Sequence, residues 1–256
     1  MKYSVSGVVI VYDLRIDILY FCSYVEEFFP ELVDEFDDQM LWVTAKNTKN
    51  RRITAIGFEN GEIIVFIIDL ETNKIIQKHL ADVKGPITKL IFFPSKTKEE
   101  EESGKNLKLF ALASLSESKV FSNVLEEGLD DVAILPGSDL YDVQTCACIS
   151  DLDFDGKDEI VIGTYGEVML VYKSVINEEL GVEDWEQVWK KDFTSPIHGI
   201  FETDLTQDGL KELFVTTINS VVIFQHDHAM VTQYLNDKFS NQVDEEDKEK
   251  AANSET

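Results

Sequence analysis

The sequence predicts an all-β fold built from repeats, and two observations carry that reading. The first is a carboxylate loop, Asp151-Leu152-Asp153-Phe154-Asp155-Gly156-Lys157-Asp158-Glu159, set directly before the apolar run Ile160-Val161-Ile162. It returns 53 residues later as Asp204-Leu205-Thr206-Gln207-Asp208-Gly209-Leu210-Lys211-Glu212, before Leu213-Phe214-Val215. The second is a set of four strand-turn-strand patterns whose starts lie 56, 51 and 53 residues apart. Short strands recurring at roughly 40 to 50 residues are the signature of propeller blades. The expected architecture is a partial β-propeller of about four blades, with a blade remnant before them and a C-terminal helix after them.

Gly7 to Tyr12 reads as a strand with nothing before it to pair against, so residues 3 to 13 are expected to be the remnant of a blade. Residues 24 to 38, with Phe28-Phe29-Pro30-Glu31-Leu32 and Asp34-Glu35-Phe36-Asp37-Asp38, lack period-2 alternation and suggest an excursion or short helix. The first blade follows, with strands at Met40 to Ala45, Arg52 to Phe58, Ile63 to Ile68 and Lys74 to Leu80. Its hairpin turns at Asn60-Gly61, the strongest turn signal in the chain. The second blade takes Ile87 to Phe93, Lys108 to Leu115, Lys119 to Ser122 and Val132 to Leu135. The third takes Thr145 to Ser150, Glu159 to Thr164, Val168 to Tyr172 and Gln187 to Lys191. The fourth is incomplete, with Ile197 to Phe201, Glu212 to Thr217 and Val221 to Phe224. Lys96 to Lys105, with four consecutive glutamates, and Asn177 to Asp184 are expected to be solvated loops. Val231, Tyr234, Leu235, Phe239 and Val243 fit a helical stripe that docks on the blades. The chain therefore divides into a propeller over residues 1–227, a helix over 228–243 and a disordered acidic tail over 244–256.

Composition narrows the function. Of 256 residues 44% are hydrophobic, enough for a packed core. Lys and Arg number 23 against 49 Asp and Glu, a formal charge of −26, so nucleic-acid phosphates and anionic membrane surfaces are repelled. Cys22, Cys146 and Cys148 have no metal-site spacing and read as reduced thiols of a cytosolic protein. No apolar run is long enough to span a membrane, and no signal peptide is evident.

The alternating carboxylates of the first loop suit a hard cation. Asp151, Asp153, Asp155 and Glu159 offer side-chain oxygens and Lys157 its carbonyl, with Gly156 supplying the reversal that gathers them around Ca²⁺. In the second loop Asp204, Thr206, Asp208, Leu210 and Glu212 take the same places, with Thr206 replacing an acid, so binding there is weaker or the loop is structural only. The alternative for both loops is that the Asp side chains accept backbone N–H bonds and hold the turn without metal. An EF-hand does not fit, because Ile162 stands where its bidentate Glu belongs and a strand follows. No catalytic constellation emerges: His226-Asp227-His228 reads as a solvated turn, and Trp42, Trp185 and Trp189 read as core.

The Asp-x-Asp-x-Asp-Gly loops resemble the FG-GAP repeats of integrin α-subunit propellers. A broader resemblance rests on several motifs in order: Phe28-Phe29-Pro30-Glu31-Leu32, Lys84-Gly85-Pro86-Ile87-Thr88, Leu135-Pro136-Gly137-Ser138-Asp139, both acidic loops, Thr164-Tyr165-Gly166 and Ser195-Pro196. Together they resemble the kaptin family from about Gly7 to the terminal helix. The resemblance implies a propeller that acts as a non-catalytic subunit of KICSTOR. That scaffold tethers the GATOR-one complex at lysosomes and restrains TOR complex one when amino acids or glucose are scarce. Implied partners are the other KICSTOR-like subunits and GATOR-one, reached in the cytoplasm and, through them, at the lysosomal membrane. An actin-filament-associated protein of actin-rich cell edges is the alternative, against which the acidity argues. A Ca²⁺-dependent hydrolase stands far behind, since it requires an acid/base pocket at the propeller axis. The family's amino-terminal blades are unmatched, so an open arc that self-associates is expected.

Overall fold

The computed structural model describes residues 9–13, 18–22, 28–33, 36–93, 106–177 and 182–236. Strands β1 (Val9–Asp13) and β2 (Ile18–Cys22) pair as a hairpin, which adds a second strand to the expected remnant. The first blade is β3 (Met40–Asn47), β4 (Arg51–Phe58), β5 (Glu62–Asp69) and β6 (Lys74–Asp82). The second is β7 (Ile87–Phe93), β8 (Lys108–Ala113), β9 (Lys119–Phe121) and β10 (Val132–Ile134). The third is β11 (Gln144–Ser150), β12 (Glu159–Thr164), β13 (Val168–Asn177) and β14 (Val182–Asp192). The fourth is β15 (Ile197–Thr203), β16 (Glu212–Thr217) and β17 (Val221–Phe224). Each blade is an antiparallel meander in chain order, and residues 228–236 form helix α1. The fold is thus the expected all-β propeller architecture. The loop 96–105, helix residues 237–243, the tail 244–256 and the Cys22 side chain lie outside the described residues.

The blades stack through cores that follow the period of two. In β8, Leu109 and Ala111 face the first blade, packing with Ile53, Ala55, Ile63 and Val65. Phe110 and Leu112 face the third, packing with Ile160, Ile162 and Leu170. In β12, Val161 turns the other way, toward Ile197, Leu213 and Val215 of the fourth. A central strand with a neighbouring blade on both sides must be apolar at every position, which is why these stretches read as unbroken apolar runs.

All four first strands carry the same irregularity. The register shifts between Met40 and Trp42, Ile87 and Lys89, Gln144 and Cys146, and Ile197 and Gly199. A bulge at that point sharpens the local twist, and its recurrence marks the four blades as one repeat. The first strands are also cross-linked to one another. Trp42 Nε1 donates to the Leu90 carbonyl (3.1 Å), Lys89 Nζ to Ala147 (2.6 Å) and Thr145 Oγ1 to Ile197 (2.6 Å).

Three expectations need correction. Asn177 and residues 182–184, expected in a loop, are strand, because β13 and β14 continue to the pair Asn177–Val182; residues 178–181 lie outside the described residues. Trp185 on that extension packs edge-on against Phe93 at 6.4 Å, and Glu183 takes the Lys108 ammonium at 2.6 Å. Trp42 and Trp189 are 37% and 42% exposed, and only Trp185 is core. In the expected solvated turn Asp227 and His228 are exposed, but His226 is half-buried, its ring 4.3 Å from that of Phe154.

Candidate functional site

Both acidic loops sit between the first and second strands of their blades, and they fold alike. Phe154 and Gln207 have φ of 61° and 57°, and Gly156 and Gly209 have φ of 80° and 88°. Two left-handed residues in three turn the chain back on itself. The glycines are required by φ and not by crowding, since a Cβ there would meet nothing within 4 Å. Asp151 Oδ2 accepts the Gly156 N–H (3.0 Å), and Asp204 Oδ2 accepts that of Gly209 (2.9 Å). Asp155 accepts from Lys157 N (2.8 Å) and Asp208 from Leu210 N (2.9 Å). Glu159 accepts from Leu152 N (2.7 Å) and Glu212 from Leu205 N (2.8 Å). The residues proposed as ligands from sequence therefore carry much of the turn's own hydrogen bonding.

What the structure gathers at the first loop is narrower than the five residues the sequence suggests. Oxygens of Asp151, Asp153 and Glu159 lie within 4.8 Å of one another. Lys157 enters through its N–H, donated to Asp155. Among the described residues the second loop forms no comparable group of three acids. Into the first group reaches the ammonium of Lys173, from β13. It is hydrogen-bonded to Asp153, lies 3.0 Å from Asp155 Oδ2 and 3.3 Å from Glu159 Oε1. Desolvation opposes that positive charge, but the bonds to Asp153 and Asp155 outweigh it and hold Lys173 above the ordinary lysine pKa. Burial pushes the Glu159 carboxyl up to about 7 despite the neighbouring ammonium, and raises Asp151 as well. In the second loop the Leu205 N–H holds Glu212 below its ordinary value, with help from Thr206 and from the Gln225 side chain. Lys173 and Gln225 escape a reading of local motifs, because they lie 14 and 13 residues after the glutamates they touch. Continuing the strand register across each hairpin would have found them.

Phe154, displayed by its left-handed backbone, stacks on Tyr234 of α1 at 4.6 Å and meets the tilted ring of His226 at 4.3 Å. The loop is thus the seat of the terminal helix. Between the two loops lies a crevice of about 290 Å³, lined among others by Asp151, Asp158, Glu202, Lys211 and His226. At the propeller axis the first strands of all four blades line a groove of about 500 Å³. Two of its ionisable groups, Lys89 and Glu202, bridge neighbouring blades. Glu202 accepts from Ser150 and from Lys211 (2.7 Å), Lys89 is bound to Ala147, and burial pushes the Cys148 thiol up to about 11. Cys146 and Cys148 are free thiols.

The profile of the family described as KICSTOR complex protein kaptin matches residues 10–236. KICSTOR complex protein kaptin of Mus musculus is 30% identical over 228 residues, covering 86% of this chain and 52% of that protein. The chain spans about half the length of this curated relative. A chain of the apo ctPRC2 structure in an autoinhibited state superimposes with a TM-score of 0.52 at 11% identity, over 75% of this chain and 39% of that one. At that identity the likeness concerns the fold alone. The β-propeller domain of Myceliophteria thermophila Cps50 (Swd1) gives a TM-score of 0.46 at 12% identity, over 88% of this chain and 67% of that one. Among the described residues no helix is long and apolar enough to cross a membrane.

Proposed function

Because this chain belongs to the kaptin family, we propose that it works as a non-catalytic scaffold subunit of a KICSTOR-like complex. In that role it helps to tether GATOR-one at lysosomes and restrains TOR complex one when amino acids or glucose run short. The observation that carries the reading is the family match over residues 10–236, which takes in every blade and the helix that closes on them. The chemistry of the axial groove supports the non-catalytic part. Glu202 and Lys89 are tied into inter-blade contacts and burial holds the Cys148 thiol protonated, whereas a nucleophile or base for catalysis needs the opposite. Stacked blades offer large rigid surfaces, which suits a protein that acts by holding others.

A scaffold subunit is tested by its loss. Deleting the gene, withdrawing amino acids and following phosphorylation of a TOR complex one substrate should show signalling that stays on. Signalling that shuts off as in the parent cells would remove this reading. Co-sedimentation with actin filaments in place of that phenotype would favour the cytoskeletal reading.

A further inference from the structure

Lys173 and Gln225 hold the same position in two consecutive blades. Ile160 pairs with Tyr172 and Leu213 with Phe224, so one step outward Glu159 stands opposite Lys173 and Glu212 opposite Gln225. Among the four side-chain positions that could ligate an ion, the loops differ by one carboxylate, Asp153 in the first and Thr206 in the second; the other acid the first loop has in excess, Asp158 where the second has Lys211, lines the crevice between the loops. The facing side chain differs by one charge, in the sense that compensates. Where Thr206 donates its hydroxyl to Glu212 Oε1 (3.1 Å), the first loop has an acid instead, and the Lys173 ammonium serves Glu159 Oε1. From this exchange we propose that the Lys173 ammonium is the resident cation of the first loop, filling the place a divalent ion would take.

The count of free oxygens agrees. Asp151 Oδ2, Asp153 Oδ1, Asp155 Oδ1 and Glu159 Oε2 accept backbone N–H groups. Of the four oxygens that remain, Asp153 Oδ2 and Asp155 Oδ2 face Lys173 closely and Glu159 Oε1 lies 3.3 Å from its ammonium as an ion pair, while Asp151 Oδ1 and Glu159 Oε1 are buried without a hydrogen-bond partner. Ca²⁺ takes about six to eight oxygens at roughly 2.3–2.6 Å. To bind here it must expel a tethered ammonium and recruit ligands from backbone or water, whereas the lysine is already attached to the neighbouring strand and loses no translational freedom on binding. The same carboxylates become available when the ammonium is removed.

Thermal unfolding of the full chain in EDTA and in millimolar Ca²⁺ tests the assignment, with Lys173→Gln and with Asp153→Thr/Lys173→Gln, which gives the first loop the second loop's pair. The parent should melt at the same temperature in both solutions. Lys173→Gln should melt lower in EDTA and recover in Ca²⁺, and the double variant should recover in EDTA and ignore Ca²⁺. A parent that is stabilised by Ca²⁺, or a Lys173→Gln protein that melts like the parent in EDTA, would overturn the proposal. If Lys173→Gln does not fold, the parent and the double variant decide: a Ca²⁺ response in either counts against it.

Discussion

Glu159 is 2% exposed, and its carboxyl is pushed up from 4.5 to about 7 by burial. In the unfolded chain the same group has its ordinary value, so between about pH 4.5 and 7 the folded state holds a proton that the unfolded state has released. Stability from this group therefore falls as the pH rises through that window, opposite in sign to a salt-bridged carboxylate whose pKa is lowered. Glu159→Gln keeps an acceptor for Leu152 N and abolishes the titration. Its melting temperature should gain on that of the parent as the pH is raised from 5 to about 7.5, and a constant difference across that range would show that Glu159 does not titrate there. The spacing of Asp151, Asp153, Asp155 and Gly156 makes the turn legible in sequence, because each residue type answers a local need of the backbone. The charge that faces it is not local, and so Lys173 stays hidden until two strands are placed in register.

At the scale of elements, the blades announce themselves because alternation with a period of two, repeated at blade-like intervals, fits hardly any architecture but a propeller. The fourth-blade strands Glu212–Thr217 and Val221–Phe224 fall where the pattern puts them. The β13–β14 extension does not, since acids at its exposed positions make a paired strand look like a loop. The stretch before the first blade conceals the most. There Pro30–Leu32 forms a single 3₁₀ turn, and Phe36 packs on Phe58 (5.3 Å), covering the outer face of the first blade with Ile56, Ile64, Phe66 and Ile68. Glu31 is fully buried beneath it. It accepts two bonds from Arg52 (3.0 and 2.9 Å) and one from Thr54 (2.7 Å), while Phe29 lies under the guanidinium at 4.7 Å. Removing one partner of such a pair strands the other, which costs about 3–5 kcal/mol. Glu31→Ala should lose stability of that order in urea titration, and Glu31→Gln less, because an amide oxygen still serves Thr54. A loss below about 1 kcal/mol, the usual worth of an exposed pair, would mean that the segment does not clasp the blade.

At the scale of the whole molecule, three inter-blade cores and a chain of contacts between first strands make the four blades one body. Among the described residues the last blade differs from the others in its uncovered face. Phe201 stacks on Phe214 at 5.2 Å yet is 46% exposed, and Ile223 beside them is 42% exposed. Apolar side chains on an outward blade face, on a molecule of net charge −26, favour protein contacts over nucleic acid or anionic lipid. Sequence makes the repeat and the family legible, since both are written in spacing and order. It does not locate partner surfaces, which depend on which blade faces the stacking leaves bare. The central claim is membership of a KICSTOR-like assembly, and its most direct test is to tag the protein at its chromosomal locus and purify it from fed and from amino-acid-starved cells. The expected result is recovery of the other KICSTOR-like subunits and GATOR-one in stoichiometric amounts; a preparation that lacks them in both states and carries actin instead would contradict it.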